Sequence, residues 1–270
     1  MRRPGERGSA YLLAVWGSLA LAVVAMLVLS LGTSTADRAR LDRARALAEA
    51  AADGLVQRGV FALLDPAERG RLPRDGTPVE ADHLGHRTRL SIQDVRGLAD
   101  VNQAEPAFLA ALFRQAGMAE GDAARAVGVL VALRRPEEGG GEKPAGLRHA
   151  SVLADLPGMT PDLLKALLPL VTVHSGSATI DPFSAPAPVL QPATGAPAGE
   201  VQAFLLARRA GSAVTPPDSF RKGPLAVSDG QVFVLVAEVL DGAGAVTVRR
   251  RATVALAPGG GHPYRFLEYR

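Results

Sequence analysis

The hydrophobic pattern passes through three regimes along the chain. From Ser9 to Ala36 no residue is charged, and 11–31 is almost continuously apolar. About 20 such residues suffice for a helix to cross a hydrocarbon core. The stretch 9–36 is therefore predicted to be a membrane-spanning helix, anchored by Leu12, Leu13, Val15, Trp16, Leu19, Leu21, Val23, Val24 and Leu27. In 37–58 the pattern changes: Leu41, Ala44, Ala48, Ala51 and Leu55 recur three and four apart, with charges between them. That is a narrow amphipathic stripe. No proline intervenes before Pro66, so the same helix can continue through 37–64, spanning roughly 80 Å at 1.5 Å per residue. The stripe is the candidate surface for helix interaction, with partners or with the rest of the chain.

Beyond the helix, 65–85 is rich in Pro, Gly and Asp and reads as a loop. Residues 87–95 alternate, with Leu90 and Ile92 on one face and Arg89, Ser91 and Gln93 on the other, which predicts a half-buried strand. A helical regime follows over 98–172. Pro106 opens one helix and Gly117 closes it, 120–134 forms a second, 137–146 is a glycine-rich linker, 149–156 a third helix, and Thr160 caps a fourth with Pro161 at its first position. Strands then return. Residues 173–180 can form one, 181–199 hold five prolines and read as loop, 200–210 form a short helix, and 232–240 and 245–257 form a hairpin around Asp241-Gly242-Ala243-Gly244. In the second hairpin strand Arg250 interrupts an otherwise apolar face. The order predicts an α+β fold: a long N-terminal membrane-spanning helix packed on a small mixed β-sheet, with a large all-helical inserted domain.

Composition narrows the chemistry. Hydrophobic residues are 47% and aromatics 4% of the 270 residues, so the core is built from Ala, Val and Leu. There is no cysteine, which removes disulfides, thiolate metal sites and cysteine nucleophiles together. Thirty Lys and Arg against 27 Asp and Glu is too balanced for an electrostatic nucleic-acid footprint.

The N-terminus carries more. Arg2, Arg3 and Arg7 outweigh Glu6 ahead of the apolar run, which keeps that side in the cytoplasm and sends the remainder outward. Ser34-Thr35-Ala36 has the small-x-small form of a signal-peptidase site, but the apolar run exceeds the roughly 7–15 residues of a signal-peptide core. A plain signal anchor is a further reading. The basic leader ending in Gly8, followed by Ser9 and the apolar run, resembles the type IV prepilin signature. That resemblance implies a leader 1–8 removed by prepilin peptidase between Gly8 and Ser9, with Ser9 becoming a methylated N-terminus. The glutamate common at the fifth mature position is replaced by Leu13.

The whole order resembles the K-type minor pseudopilins of type II secretion systems (general secretion pathway protein K), which lack the fifth-position glutamate and carry a helical insert. Residues 94–102 (DVRGLADVN) look like the family's junction between strand and insert. Residues 151–173 look like the return to the sheet. Thr179-Ile180-Asp181 with Ala185 and Val189-Leu190 looks like its second Asn-rich segment, with Asp181 in place of Asn. The resemblance implies a pseudopilin α/β domain of 65–97 and 173–270 carrying the insert 98–172. It implies a non-enzymatic subunit, single-pass in the inner membrane with its bulk periplasmic, at the pseudopilus tip with other minor pseudopilins. In such filaments a glutamate at the fifth position pairs with the N-terminal amine of the subunit above, which Leu13 cannot do. The implied partners are those pseudopilins, prepilin peptidase and the inner membrane, with no nucleic acid and no small-molecule substrate. Some family members bind calcium near the insert, but Glu137, Glu138 and Glu142 offer no ligand spacing, and no cofactor or metal residue is assigned.

Other motifs are weaker. Leu156-Pro157-Gly158-Met159-Thr160 also resembles a helix-hairpin-helix turn, the basis of an alternative reading as an anchored DNA-uptake receptor. Its surroundings, with Asp155, Asp162 and Lys165, carry net negative charge, the wrong sign for phosphate. His83 and His86 are two potential ligands in a loop, too few for a metal site. Ser175-Gly176-Ser177 lacks the frame of a nucleophile elbow.

Overall fold

The computed structural model describes residues 6–134, 146–211, 214–257 and 261–270, with the side chains of 6–10 and 28–37 excepted. Residues 1–51 and 52–270 form two compact units. Helix α1 is a single element, Glu6–Leu64. In the first unit its side chains from Tyr11 to Leu27 are exposed on every side of the helix. Among the described residues no helix is long and apolar enough to cross a membrane. The second half of the apolar run, 28–36, lies outside the described side chains.

The second unit begins with the last turns of α1. They lie on a five-stranded sheet of order β1-β2-β5-β6-β7, formed by β1 (Asp75–His83), β2 (His86–Asp94), β5 (Val232–Leu240), β6 (Val246–Leu256) and β7 (Tyr264–Tyr269). Leu55, Val56, Val60 and Leu63 pack on Leu90, Ile92, Phe233, Leu235, Ala252 and Val254, so the alternation read in β2 faces the helix. Every pairing in this sheet is antiparallel, which corrects the expected mixed sheet. The parallel pairing is a two-residue ladder, β3 (Ala99–Asp100) with β4 (Val171–Thr172), at the base of the helical part. Arg250, the interruption on the apolar face of β6, reaches Asp53 of α1 at 3.0 Å.

The helical part contains α3 (Pro106–Gln115), α4 (Glu120–Leu133) and α5 (Pro161–Leu167), with a tighter 3-10 turn at Ala150–Asp155 where a third helix was predicted. Thr160 caps α5 as its position predicts, its Oγ accepting from Leu163 N at 3.2 Å. The linker around 137–146 lies almost wholly outside the described residues.

The remaining differences have local causes. The 65–85 "loop" contains a short helix, α2 (Pro66–Arg69), and the edge strand β1. An edge strand needs little apolar character and is protected by Pro and charge, here Pro78, Glu80 and Asp82. The 173–180 strand does not form. Ser175, Ser177 and Thr179 instead hydrogen-bond within the segment, and Ile180 contributes only an isolated bridge to Leu225. The proline-rich 181–199 holds helix α6 (Ala187–Thr194) and the start of α7 (Ala198–Arg209). Pro188 sits in the first turn of α6, where its missing N–H has no partner to lose, and Gly195 closes the helix at φ 66°. α6, α7 and Phe220 share one apolar core with α3 and α4.

Candidate functional site: the helix face and the neck

The sequence-predicted stripe is covered over only part of its length. Leu41 and Ala44 are exposed, Ala48 and Ala51 are buried, and Leu55 lies in the core under the sheet. The opposite side of the last turns of α1 presents Gln57, Arg58 and Phe61, the last 68% exposed. Phe61 follows directly after Val60, which is 1% exposed, so adjacent residues face core and solvent. Sequence periodicity missed Phe61 because it sits inside the apolar run 60–64, where alternation of faces is hidden. The residues expected from the sequence to form an anchor, Leu12, Leu13, Val15, Trp16, Leu19, Leu21, Val23, Val24 and Leu27, are between 51% and 73% exposed. Gly8 and Ser9 fall in the backbone of α1, and their side chains lie outside the described residues.

The second feature is the neck between sheet and helical part, where the two junction segments singled out in the sequence meet. Asp181 N donates to Arg96 O at 2.8 Å, and Gln93 Nε2 donates to Ser184 O at 2.9 Å. Gly97 permits this approach: a Cβ there would stand 2.6 Å from Ala185 N. Asn102 acts as a clamp on the returning chain, donating through Nδ2 to Leu147 O at 3.0 Å and accepting Leu147 N at Oδ1 at 2.8 Å. Asp100 accepts from Asn102 N, Ser175 Oγ and Gly176 N, so its serine neighbour serves a turn. The acidic-Gly-apolar-Asn segment is thus a set of backbone-holding residues.

Beside these contacts lies a polar cavity of about 650 Å³ lined by Arg74, Asp94, Asp181, Ser184, Arg208 and Asp229. Asp94 is 2% exposed; one carboxylate oxygen accepts from Arg96 N at 2.9 Å. Burial pushes its carboxyl up to about 6, the charge of Asp181 adds to this, and Arg96 N and Arg74 oppose it. Asp181 is raised too, by burial. Asp75 is held below its ordinary value because Thr77 and Arg208 together outweigh its burial, and Arg208 reaches it at 2.6 Å.

The weaker motifs resolve into structure. Gly158 of the hairpin-like turn lies at φ 75° with the side chain of Asp122 against it, a carboxylate where a phosphate would have to bind. His83 and His86 face each other across the β1–β2 turn. Among the described residues no group of three or more His, Cys, Asp or Glu side chains is placed to hold a metal ion, and Glu137, Glu138 and Glu142 lie outside those residues.

No protein-family model matches the chain, and no curated protein does. Among solved structures, a chain of the GspK–GspI–GspJ complex from the type 2 secretion system of enterotoxigenic Escherichia coli is similar in fold, with a TM-score of 0.52 at 13% identity. The alignment covers 84% of this chain and 95% of that one, so the likeness is one of fold over most of the chain rather than of one motif.

Proposed function

We propose that this chain is a K-type minor pseudopilin, a non-enzymatic subunit of a type II secretion pseudopilus. The observation that carries the reading is the likeness in fold over 95% of a chain from the GspK–GspI–GspJ complex, reached independently of the junction segments that suggested the same family. On this reading residues 9–36 anchor the chain in the inner membrane, the basic leader 1–8 faces the cytoplasm and is removed at Gly8, and the bulk of the chain is periplasmic. The chain sits at the filament tip with other minor pseudopilins and primes assembly. The outward side of α1 makes the contact, with Phe61 as its apolar anchor, since a large exposed aromatic is the kind of side chain that concentrates binding energy.

The test is co-purification of full-length chain from membranes with each partner pseudopilin tagged in turn. Phe61→Asp is expected to lower recovery of the complex about tenfold or more, since hot-spot truncations commonly cost above ~2 kcal/mol. Leu206→Asp, equally exposed but on α7, is expected to leave recovery unchanged. Equal recovery for both variants would remove α1 as the contact.

A further inference from the structure

On the sheet face opposite α1, a separate cavity of about 390 Å³ lies between the sheet and the helical part. Its walls are mostly apolar, from Leu164, Leu168, Val171 and Val173, and its floor carries Arg251 of β6. Small-molecule sites have this form: an apolar pocket of several hundred Å³ with a few polar groups at one end.

Of the sheet's arginines, Arg251 is half-buried and has no ion pair among the described residues. Arg89 pairs with Glu80 and Glu238, Arg249 with Glu238, and Arg250 with Asp53. Among the described residues no carboxylate lies within ion-pair distance of Arg251, and its buried Nε has no hydrogen-bond partner. The nearby carboxylate, Glu268, is turned to two imidazoles, with His149 Nδ1 at 3.6 Å and His174 Nε2 at 3.5 Å. Burial pushes the Arg251 guanidinium down and Arg270 adds like-charge repulsion, while Glu268, outside ion-pair distance, opposes both in part. A half-buried cation with no hydrogen-bonded carboxylate is costly, and an anion entering the cavity relieves that cost.

We propose that this cavity binds a small carboxylate with an apolar body, its charge on Arg251 and its body among the leucines and valines. The chemistry is shared by free short-chain carboxylic acids and by the carboxy-terminal residue of a peptide. The size of the cavity excludes a folded partner.

The experiment is calorimetric titration of the full chain in uncharged detergent with matched pairs: hexanoate against hexanamide, and N-acetyl-leucine against N-acetyl-leucinamide. Both carboxylates, or the N-acetyl-leucine alone if the source is a peptide terminus, are expected to bind while the amides do not. Arg251→Gln is expected to weaken binding about tenfold or more, the value of a charge-assisted hydrogen bond. Ala154→Phe, at an exposed position on the cavity wall, is expected to abolish binding with Arg251 intact, which guards against a folding defect in the first variant. Absence of carboxylate binding to the wild-type chain, equal binding of acid and amide, or binding that survives both substitutions overturns the proposal.

Discussion

Asp94 shows how a single residue of the neck is held against its preference. It is almost fully buried, carries one amide donor, and has its carboxyl raised to about 6 from an ordinary value near 3.8. The folded chain therefore holds this proton more tightly than the unfolded chain. The contribution to stability is fully present below about pH 4 and is lost as pH rises through about 6. The loss at neutral pH amounts to roughly 3 kcal/mol. Asp94→Asn keeps an acceptor for Arg96 N and removes the charge. The variant is expected to unfold at a higher temperature than wild type at pH 7.5, with the difference closing by pH 4. A difference that is the same at both pH values would show that charge burial is not its cause. The resemblance that placed Asn in the second junction segment was read at Asp181, the neighbouring carboxylate, and the structure gives a physical reason for an amide in this place.

At the scale of elements, the contact of α1 with the sheet depends on a glycine. A Cβ on Gly59 would stand 2.6 Å from Leu235 Cδ2 and 3.3 Å from Leu90 Cδ2, and both leucines are buried. Gly59→Val is expected to cost about 1–3 kcal/mol through overpacking, read as a lowered thermal midpoint, whereas Gly17→Ala, with open space around it, is expected to leave the midpoint unchanged or slightly higher. A Gly59→Val chain as stable as wild type would mean that the helix does not need this approach. The elements legible in the sequence were those with a sustained period and clear ends: β2 through Leu90 and Ile92, α3 between Pro106 and Gly117, the β5–β6 hairpin around Asp241. Those missed were elements whose partners supply what their own sequence lacks. β1 is an edge strand held by pairing with β2 and needs no apolar face of its own. α6 is held in a core shared with α3, which outweighs the cost of Pro192 in its interior. β7 is short and terminal, and is defined by pairing with β6 and by the hydroxyls of Tyr264 and Tyr269 on Gln57 and Asp53. At the candidate site the junction segments were legible as motifs, but their meeting across Gly97 and the exposure of Phe61 required three dimensions.

For the whole molecule, the proposed place at a filament end makes a demand on the first residues of the mature chain. Within a filament, a carboxylate at the fifth position is useful only if a subunit above offers an amine. At the end there is none, so the position is better apolar, and Leu13, 73% exposed along α1, suits lipid contact. Leu13→Glu is therefore expected to give no gain in recovery with partner pseudopilins and a moderate loss in membrane insertion, since a carboxylate in the bilayer costs roughly 3 kcal/mol. Processing must also occur for the mature N-terminus to exist. Intact mass of the chain co-expressed with a prepilin peptidase is expected to lack residues 1–8, and Gly8→Val to retain them, because a branched side chain obstructs the scissile position. A mature start at Asp37 would instead establish removal of the whole apolar segment, and a gain in assembly for Leu13→Glu would move the subunit from the end of the filament to its interior.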